Sequence, residues 1–511
     1  MTRRRPLARV AAALAALVMI GIALAQLRLA GEGVGEAEHV LADGTPVTLF
    51  LPEQGPPGPL VVVAHGFSGS RPLMRSFALA FARNGYAAAT FDFSGHGRNP
   101  RALTGSITET DGATRRLVDD VAEVAAFARS FGDGRLAVLG HSMASDIVVR
   151  FAETHPEVGA TIAVSMFSPA VTAQSPRNLL VIVGDWEGPL KREALRVLGL
   201  ASGPAGPRPE VTLGDPGSGA ARRVTFSPHV EHVGVLYSRH SLREAVDWLD
   251  QSFAIPRTRP PSIPVLGPWV LALLGGAVLL AWPAASLLPV VSPRPAGASL
   301  AWRQAWVLAL PLVVTPLVLR VLPTEILPVL VGDYLAAHFF LYGIVSMFAL
   351  LAARRSLHPF RGPAVSVGAL AGATAAVLAY VAIALFWPLD ATVASYVPGR
   401  HRLFLLAAML VGTLPYFLAD EWLTRGEHAA RGLAFASKAA FLASLGLAVA
   451  LDPGRLFFLI LIVPVMVPFF LAFGLISRWT YRRTNSPLVG GLANAVIFAW
   501  AIAVTFPLLA R

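Results

Sequence analysis

The run Leu136-Ala137-Val138-Leu139-Gly140-His141-Ser142-Met143-Ala144 sets a hydroxyl between a short apolar stretch and a segment with helical character that extends to about Glu153. Gly140 and Ala144 are small, so the backbone can bend sharply on either side of Ser142. A serine on a strand-to-helix turn of this kind projects beyond the end of its strand, open to a substrate. The last position of the G-x-S-x-G pattern is alanine here. A serine hydroxyl is a weak nucleophile by itself, and it attacks an acyl carbon when a neutral imidazole within hydrogen-bond reach takes its proton. The chemistry on offer is therefore acyl transfer. The chain has no cysteine and no H-E-x-x-H run, so thiol catalysis and the common zinc-hydrolase pattern do not apply.

A turn must be held by a scaffold, and the flanking sequence supplies one. Leu60-Val61-Val62-Val63-Ala64 is β-branched and apolar throughout, as in a strand buried on both faces, and it runs into His65-Gly66-Phe67. A helical stretch follows from Pro72 to Arg83, then a second strand from Ala87 to Phe93 that leads into Ser94-Gly95-His96-Gly97-Arg98. Another helix is predicted over Asp111 to Ser130, just before the strand of Ser142. Beyond the turn, Gly159–Val164, Asn178–Gly184 and Arg222–Ser227 read as three further strands, and Ser241–Phe253 as a closing helix. Strands alternating with helices indicate a parallel sheet covered on both sides.

His65-Gly66-Phe67, Asp92-Phe93-Ser94-Gly95-His96-Gly97 and Gly140-His141-Ser142-Met143-Ala144 stand in the order and at the spacings of the α/β-hydrolase superfamily. Over about residues 40–253 the chain resembles its serine aminopeptidase-like and monoacylglycerol lipase-like branch. The resemblance implies an α/β-hydrolase fold, a mostly parallel sheet with flanking helices. It also implies a triad in the chain order serine, acid, histidine. Ser142 is the nucleophile. The acid follows the strand Asn178–Gly184, where Glu187 is favoured by the family's spacing and Asp185 is the alternative. The base follows the last strand, where His232 is favoured over His229, with His240 third. The oxyanion hole falls to the backbone N–H groups of Phe67 and Met143. No cofactor and no metal are called for, and the substrate is a small-molecule or lipid acyl compound. Only about a dozen residues separate Val164 from Asn178, where many lipase-like relatives insert a helical cap. The catalytic mouth is then either open or covered by the membrane half of the chain.

Composition extends the picture beyond the hydrolase region. Of 511 residues, 55% are hydrophobic and 14% charged, a balance typical of membrane proteins. Residues 30–262 hold 21 Lys+Arg against 24 Asp+Glu, so the net charge of +11 belongs to the termini and the second half. A near-neutral soluble part argues against nucleic-acid binding. Residues 10–29 form an apolar segment behind Arg3, Arg4, Arg5 and Arg9. It is read as a transmembrane anchor, with a cleavable signal ending near Ala23-Leu24-Ala25 as the alternative. Pro260-Pro261-Ser262 marks a linker between a hydrolase domain at 30–258 and an all-α polytopic membrane domain at 264–511. That domain has about eight spans, near 264–288, 304–322, 326–352, 364–387, 403–419, 433–451, 456–476 and 488–510. Arginines concentrate on alternate short loops: Arg294 and Arg303; Arg354, Arg355 and Arg361; Arg425 and Arg431; Arg478, Arg482 and Arg483. By the positive-inside rule those loops are cytoplasmic, which places the hydrolase on the periplasmic or extracellular face, as in a bacterial inner-membrane protein.

Within the spans, Asp333, His338 and Lys438 are costly in hydrocarbon and mark either a polar pathway or headgroup site, or internal ion pairing. Asp420, Glu421 and Arg425 read as a salt-bridge cluster at a span end. Three functions follow. One is a membrane-anchored serine hydrolase of esterase or lipase type. The second is a transporter or lipid-handling bundle with a hydrolase-fold sensing domain. The third is an acyltransferase using the same triad.

Overall fold

The computed structural model describes residues 4–106, 109–202, 206–354 and 365–510. Arg3, Arg355 and Arg361, used in the charge count above, lie outside them. The chain forms two compact units whose boundaries are not linear in sequence. One comprises Ile22–Ala272 together with Leu389–Gly399 and Pro507–Arg511; the other comprises the chain up to Gly21 with Leu273–Pro388 and Arg400–Phe506.

The first unit is built on one eight-stranded sheet. Its strands are β1 (Val34–Val40), β2 (Pro46–Pro52), β3 (Leu60–Ala64), β4 (Ala87–Phe91), β5 (Leu136–His141), β6 (Val158–Val164), β7 (Leu179–Gly184) and β8 (Arg222–Ser227). The order across the sheet is β1-β2-β4-β3-β5-β6-β7-β8. Strands β3 to β8 run parallel, while β1 and β2 join antiparallel at one edge. The β1–β2 hairpin lies upstream of the strands legible in the sequence, because β1 carries Glu36, Glu38 and His39 on a mostly exposed edge and shows no apolar run.

Alternation along each strand splits the core in two. Val61, Val63, Ala137, Leu139 and Ile162 face one side, where Phe77 of α2 (Arg75–Arg83) and Trp248 of α6 (Arg239–Ser252) pack. Leu60, Val62, Leu136 and Val138 face the other, against Val121 of α3 (Arg115–Ala128) and Ile147 of α4 (Met143–Thr154). With both faces covered, the strands can be apolar at every position, which is why they were readable as uninterrupted runs. A further helix, α5 (Gly188–Ser202), follows β7. Because β3 to β8 are parallel, the loops leaving their C-terminal ends share one edge of the sheet, where α/β proteins assemble their sites.

The second unit is helical. Among the described residues, nine helical segments are long and apolar enough to cross a membrane: Pro6–Ala30, Gly267–Leu287, Trp302–Leu319, Gly332–Ala353, Val367–Thr392, Arg400–Thr424, Leu433–Leu451, Leu459–Thr484 and Pro487–Thr505. Its centre is an aromatic cluster. The Phe339 ring lies 5.1 Å from Tyr416 and 4.5 Å from Phe441, and Phe417 lies 4.6 Å from Phe498. The helices bearing Phe339 and Tyr416 meet at glycines. A Cβ on Gly412 would press on the backbone of Ala336, the close approach that small residues allow between membrane helices.

Candidate active site

Ser142 stands between β5 and α4 with φ 55° and ψ −119°, a strained conformation that points a side chain off the end of the strand. The neighbours hold it there. Its N–H donates to the Val164 carbonyl at 2.9 Å, and its carbonyl accepts from Ser145 N at 2.9 Å and Ser145 Oγ at 2.5 Å. The small residues expected around the turn are required by contact: a Cβ on Gly140 would collide with the Ala144 carbonyl.

The structure brings His232 and Glu187 to this serine. Ser142 Oγ donates to His232 Nε2 at 2.9 Å, and His232 Nδ1 donates to Glu187 Oε1 at 2.6 Å, the proton positions being those that satisfy both contacts. The second carboxylate oxygen of Glu187 accepts from Ser165 Oγ and from Gly184 N, each at 2.7 Å. Both oxygens of this nearly buried side chain are therefore engaged, which fixes its rotamer and in turn that of the imidazole. Asp185 is turned away from the site. It pairs with Lys191 Nζ at 2.6 Å, and that contact holds its carboxyl below the usual range. His229 is exposed in a left-handed turn at φ 60°. His240 hydrogen-bonds Thr225 Oγ1 at 2.7 Å. Neither reaches the serine.

Met143 is the first residue of α4, directly after the nucleophile. Phe67 sits in the loop after β3, and that loop lies against the serine: a Cβ on Gly66 would come within 2.9 Å of Ser142 Cβ. Only glycine permits this approach. Met143 thus neighbours Ser142 in the chain, while Phe67 is one residue beyond the glycine that approaches it in space.

Three residues of the quoted motifs make contacts that the sequence does not show. His141, adjacent to the nucleophile, hydrogen-bonds the His232 carbonyl through Nε2 at 2.9 Å, with the two rings 4.8 Å apart. Burial, with His232 beside it, keeps the His141 imidazole well below the ordinary histidine range, so it is a neutral strut for the base. Asp92, fully buried, accepts from Arg71 N at 2.7 Å and Arg98 N at 2.9 Å and so ties the loop after β3 to the loop after β4. His65 bridges the same loops through Gly66 O at 2.8 Å and Phe93 N at 3.2 Å, and burial holds it neutral against the pull of Asp92.

The polar groups singled out in the helical unit do not converge. Lys438 pairs with Asp420, which also accepts from Ser437 Oγ at 2.7 Å. Glu421 pairs with Arg425 at 3.0 Å, and His338 meets Ser444 Oγ at 3.1 Å. Asp333 lies at the first turn of its helix, with Oδ1 near the Tyr334 N–H.

Residues 55–202 match the family model described as serine aminopeptidase, S33. A curated relative, the uncharacterised 31.7 kDa protein of the traX-finO intergenic region of Escherichia coli, is 38% identical over 82 residues. The match covers 16% of this chain and 25% of the relative, so the chain spans about a quarter of that protein's length. Among solved structures, dienelactone hydrolase from Anabaena variabilis is 18% identical, covering 43% of this chain and 98% of that one at a TM-score of 0.30. A predicted CIB-like hydrolase from Thermoplasma acidophilum is also 18% identical, covering 42% and 99% at 0.33. A bacterial membrane phospholipase A is 17% identical, covering 47% and 93% at 0.29. Sheet order, elbow and family match agree: the first unit has the α/β-hydrolase fold and is similar to the S33 serine aminopeptidases over residues 55–202.

Proposed function

We propose that the chain is a membrane-anchored serine hydrolase of esterase or lipase type that cleaves ester, thioester or amide bonds through an acyl-enzyme. The observation that carries this reading is the unbroken hydrogen-bond chain from Ser142 through His232 to Glu187. In the first step, Ser142 Oγ attacks the acyl carbon while its proton passes to His232 Nε2. The Glu187 carboxylate stabilises the imidazolium that forms. The oxyanion faces the N–H groups of Phe67 and Met143, where loss of one such donor typically costs about 10²–10³ in rate. His232 then returns its proton to the leaving group. Water, deprotonated by the same imidazole, releases the acid.

The nine apolar segments support insertion in a bilayer. The bias of arginine toward alternate loops supports a bacterial inner membrane with the hydrolase on the periplasmic or extracellular face. Labelling of the full-length protein by a fluorophosphonate tests the reading. The wild type is expected to label and Ser142→Ala to remain unlabelled. A folded wild type that never reacts, or a variant that still does, overturns it.

A further inference from the structure

The hydrolase unit contains residues that come from far outside its sheet. Leu389–Gly399 lies in the same compact unit as the strands, although in the chain it comprises the last turn of the apolar segment Val367–Thr392 and the connection to the next one. Its contacts fall on the loops that frame the site. Asp390 receives Arg98 Nη2 on both carboxylate oxygens at 2.6 Å and also accepts from Val397 N at 2.7 Å. Arg98 Nε reaches the Val397 carbonyl at 3.3 Å. Ser395 N donates to Ser70 Oγ at 2.8 Å, with both serines buried. At a third point, the Tyr237 hydroxyl lies 3.5 Å from the Thr392 carbonyl, in the turn that follows His232.

These contacts lead to the oxyanion side of the nucleophile. Ser70 is three residues beyond Phe67. Arg98 follows Gly97, and its backbone N–H is held by Asp92, whose other oxygen holds Arg71 N. One buried carboxylate thus links the loop gripped at Arg98 to the loop gripped at Ser70, and that second loop carries Phe67 and rests on Ser142 through Gly66. The loop after β4 is held from its far side as well. Leu508 N donates to Gly95 O, and Leu103 N donates to Leu508 O, both at 2.8 Å. The segment between β6 and β7 is short, and Phe167 and Trp186 stand 64% and 67% exposed.

We infer that residues 389–399 are a clasp that positions the oxyanion-hole loop of the hydrolase, with Asp390 and Arg98 as its positioning residues. The inference rests on the serine-hydrolase reading above. Oxyanion donors act only when fixed where charge develops, and a shift of about 1 Å can cost on the order of 10²-fold. A loop held by an ion pair that shares one guanidinium nitrogen between both carboxylate oxygens, and by a buried bond from Ser395 N to Ser70 Oγ, does not make that shift. The unit that carries the sheet therefore includes a segment from far along the chain that braces its site loops.

The test uses the full-length protein in detergent, with p-nitrophenyl butyrate as substrate and fluorophosphonate labelling of Ser142 in parallel. Asp390→Asn is expected to lower kcat about 10- to 100-fold with KM little changed, because the lost interaction acts in the transition state. The exchange Arg98→Asp with Asp390→Arg is expected to restore a good part of kcat, which a merely structural defect would not do. A folded Asp390→Asn protein with wild-type kcat, or one altered in KM alone, overturns the clasp. If that variant does not fold, Ser70→Ala removes the other grip and decides on the same readout. A wild type that neither labels nor turns over is a different failure, that of the hydrolase reading itself, and it removes the clasp with it.

Discussion

Buried charge is used in opposite ways in the two units. In the hydrolase, Asp92, Asp120 and Glu187 each hold something that must not move. Asp92 holds two backbone N–H groups, Asp120 takes the Ser94 N–H at 2.8 Å, and Glu187 holds the base. Asp92 and Glu187 meet loop backbones and an imidazole at one edge of the sheet, while Asp120 also pairs with Arg101 and Arg116, each at 2.8 Å. In the helical unit, Asp420 and Glu421 are also buried, yet they close on Lys438 and Arg425 within the bundle. A carboxylate whose partner is a titratable base in reach of a hydroxyl can take part in proton transfer. One neutralised by a permanent cation serves packing. Burial of charge alone therefore does not mark a catalytic site; the identity of the partner does.

The sharpest way to break this comparison is at the two neighbouring carboxylates after β7. Glu187→Gln is expected to reduce kcat by roughly 10⁴-fold, since the amide favours the wrong imidazole tautomer. Asp185→Asn should leave kcat near wild type, because that side chain serves Lys191. Equal losses in the two variants would erase the distinction between them.

A smaller effect, on stability instead of rate, is expected in the helical unit. Asp420→Ala strands Lys438 and should destabilise that unit by about 3–5 kcal/mol. Asp420→Ala combined with Lys438→Met should recover much of the loss, because no unpaired charge remains. Thermal unfolding in detergent measures both variants. A double variant no better than the single would mean that the pair has a role beyond mutual neutralisation.

The smallest expected effect is a pH dependence. His65 and His141 are buried as neutral rings, and their folded-state pKa values lie below those of the unfolded chain. Their contribution to stability is complete above the unfolded value, about 6.5, and is lost as pH falls below it toward the folded values. The thermal midpoint of the hydrolase unit should decline on acidification from about pH 7 to about pH 5, and His141→Gln should flatten the decline. An unchanged slope would show that His141 is not among the groups responsible.

Much of this was written locally. The elbow at Ser142 was legible because its determinants are contiguous: an apolar strand, two small residues and a helix start. The central parallel strands were legible because burial on both faces favours apolar residues at most positions, while β8 carries Arg222, Arg223 and Thr225, and the apolar spans were legible because hydrocarbon demands long uninterrupted stretches. The choice between Glu187 and Asp185 was not local, since both follow the same strand. Ser165 at the end of β6 and the Gly184 N–H decide it by meeting only the longer side chain. Likewise, nothing in the sequence near His141 shows that its ring supports the His232 backbone.

Sequence by itself determined the elbow that carries Ser142, the class of sheet beneath it and the presence of a large apolar helical part, because each follows from the periodicity and bulk of neighbouring residues. Only the tertiary structure decided which acid and which histidine meet Ser142, where Lys438 finds its counter-charge, and that Asp390 reaches Arg98. Those are contacts between residues distant in the chain, and hydrogen-bond geometry, which leaves no periodic trace in a sequence, selects among them.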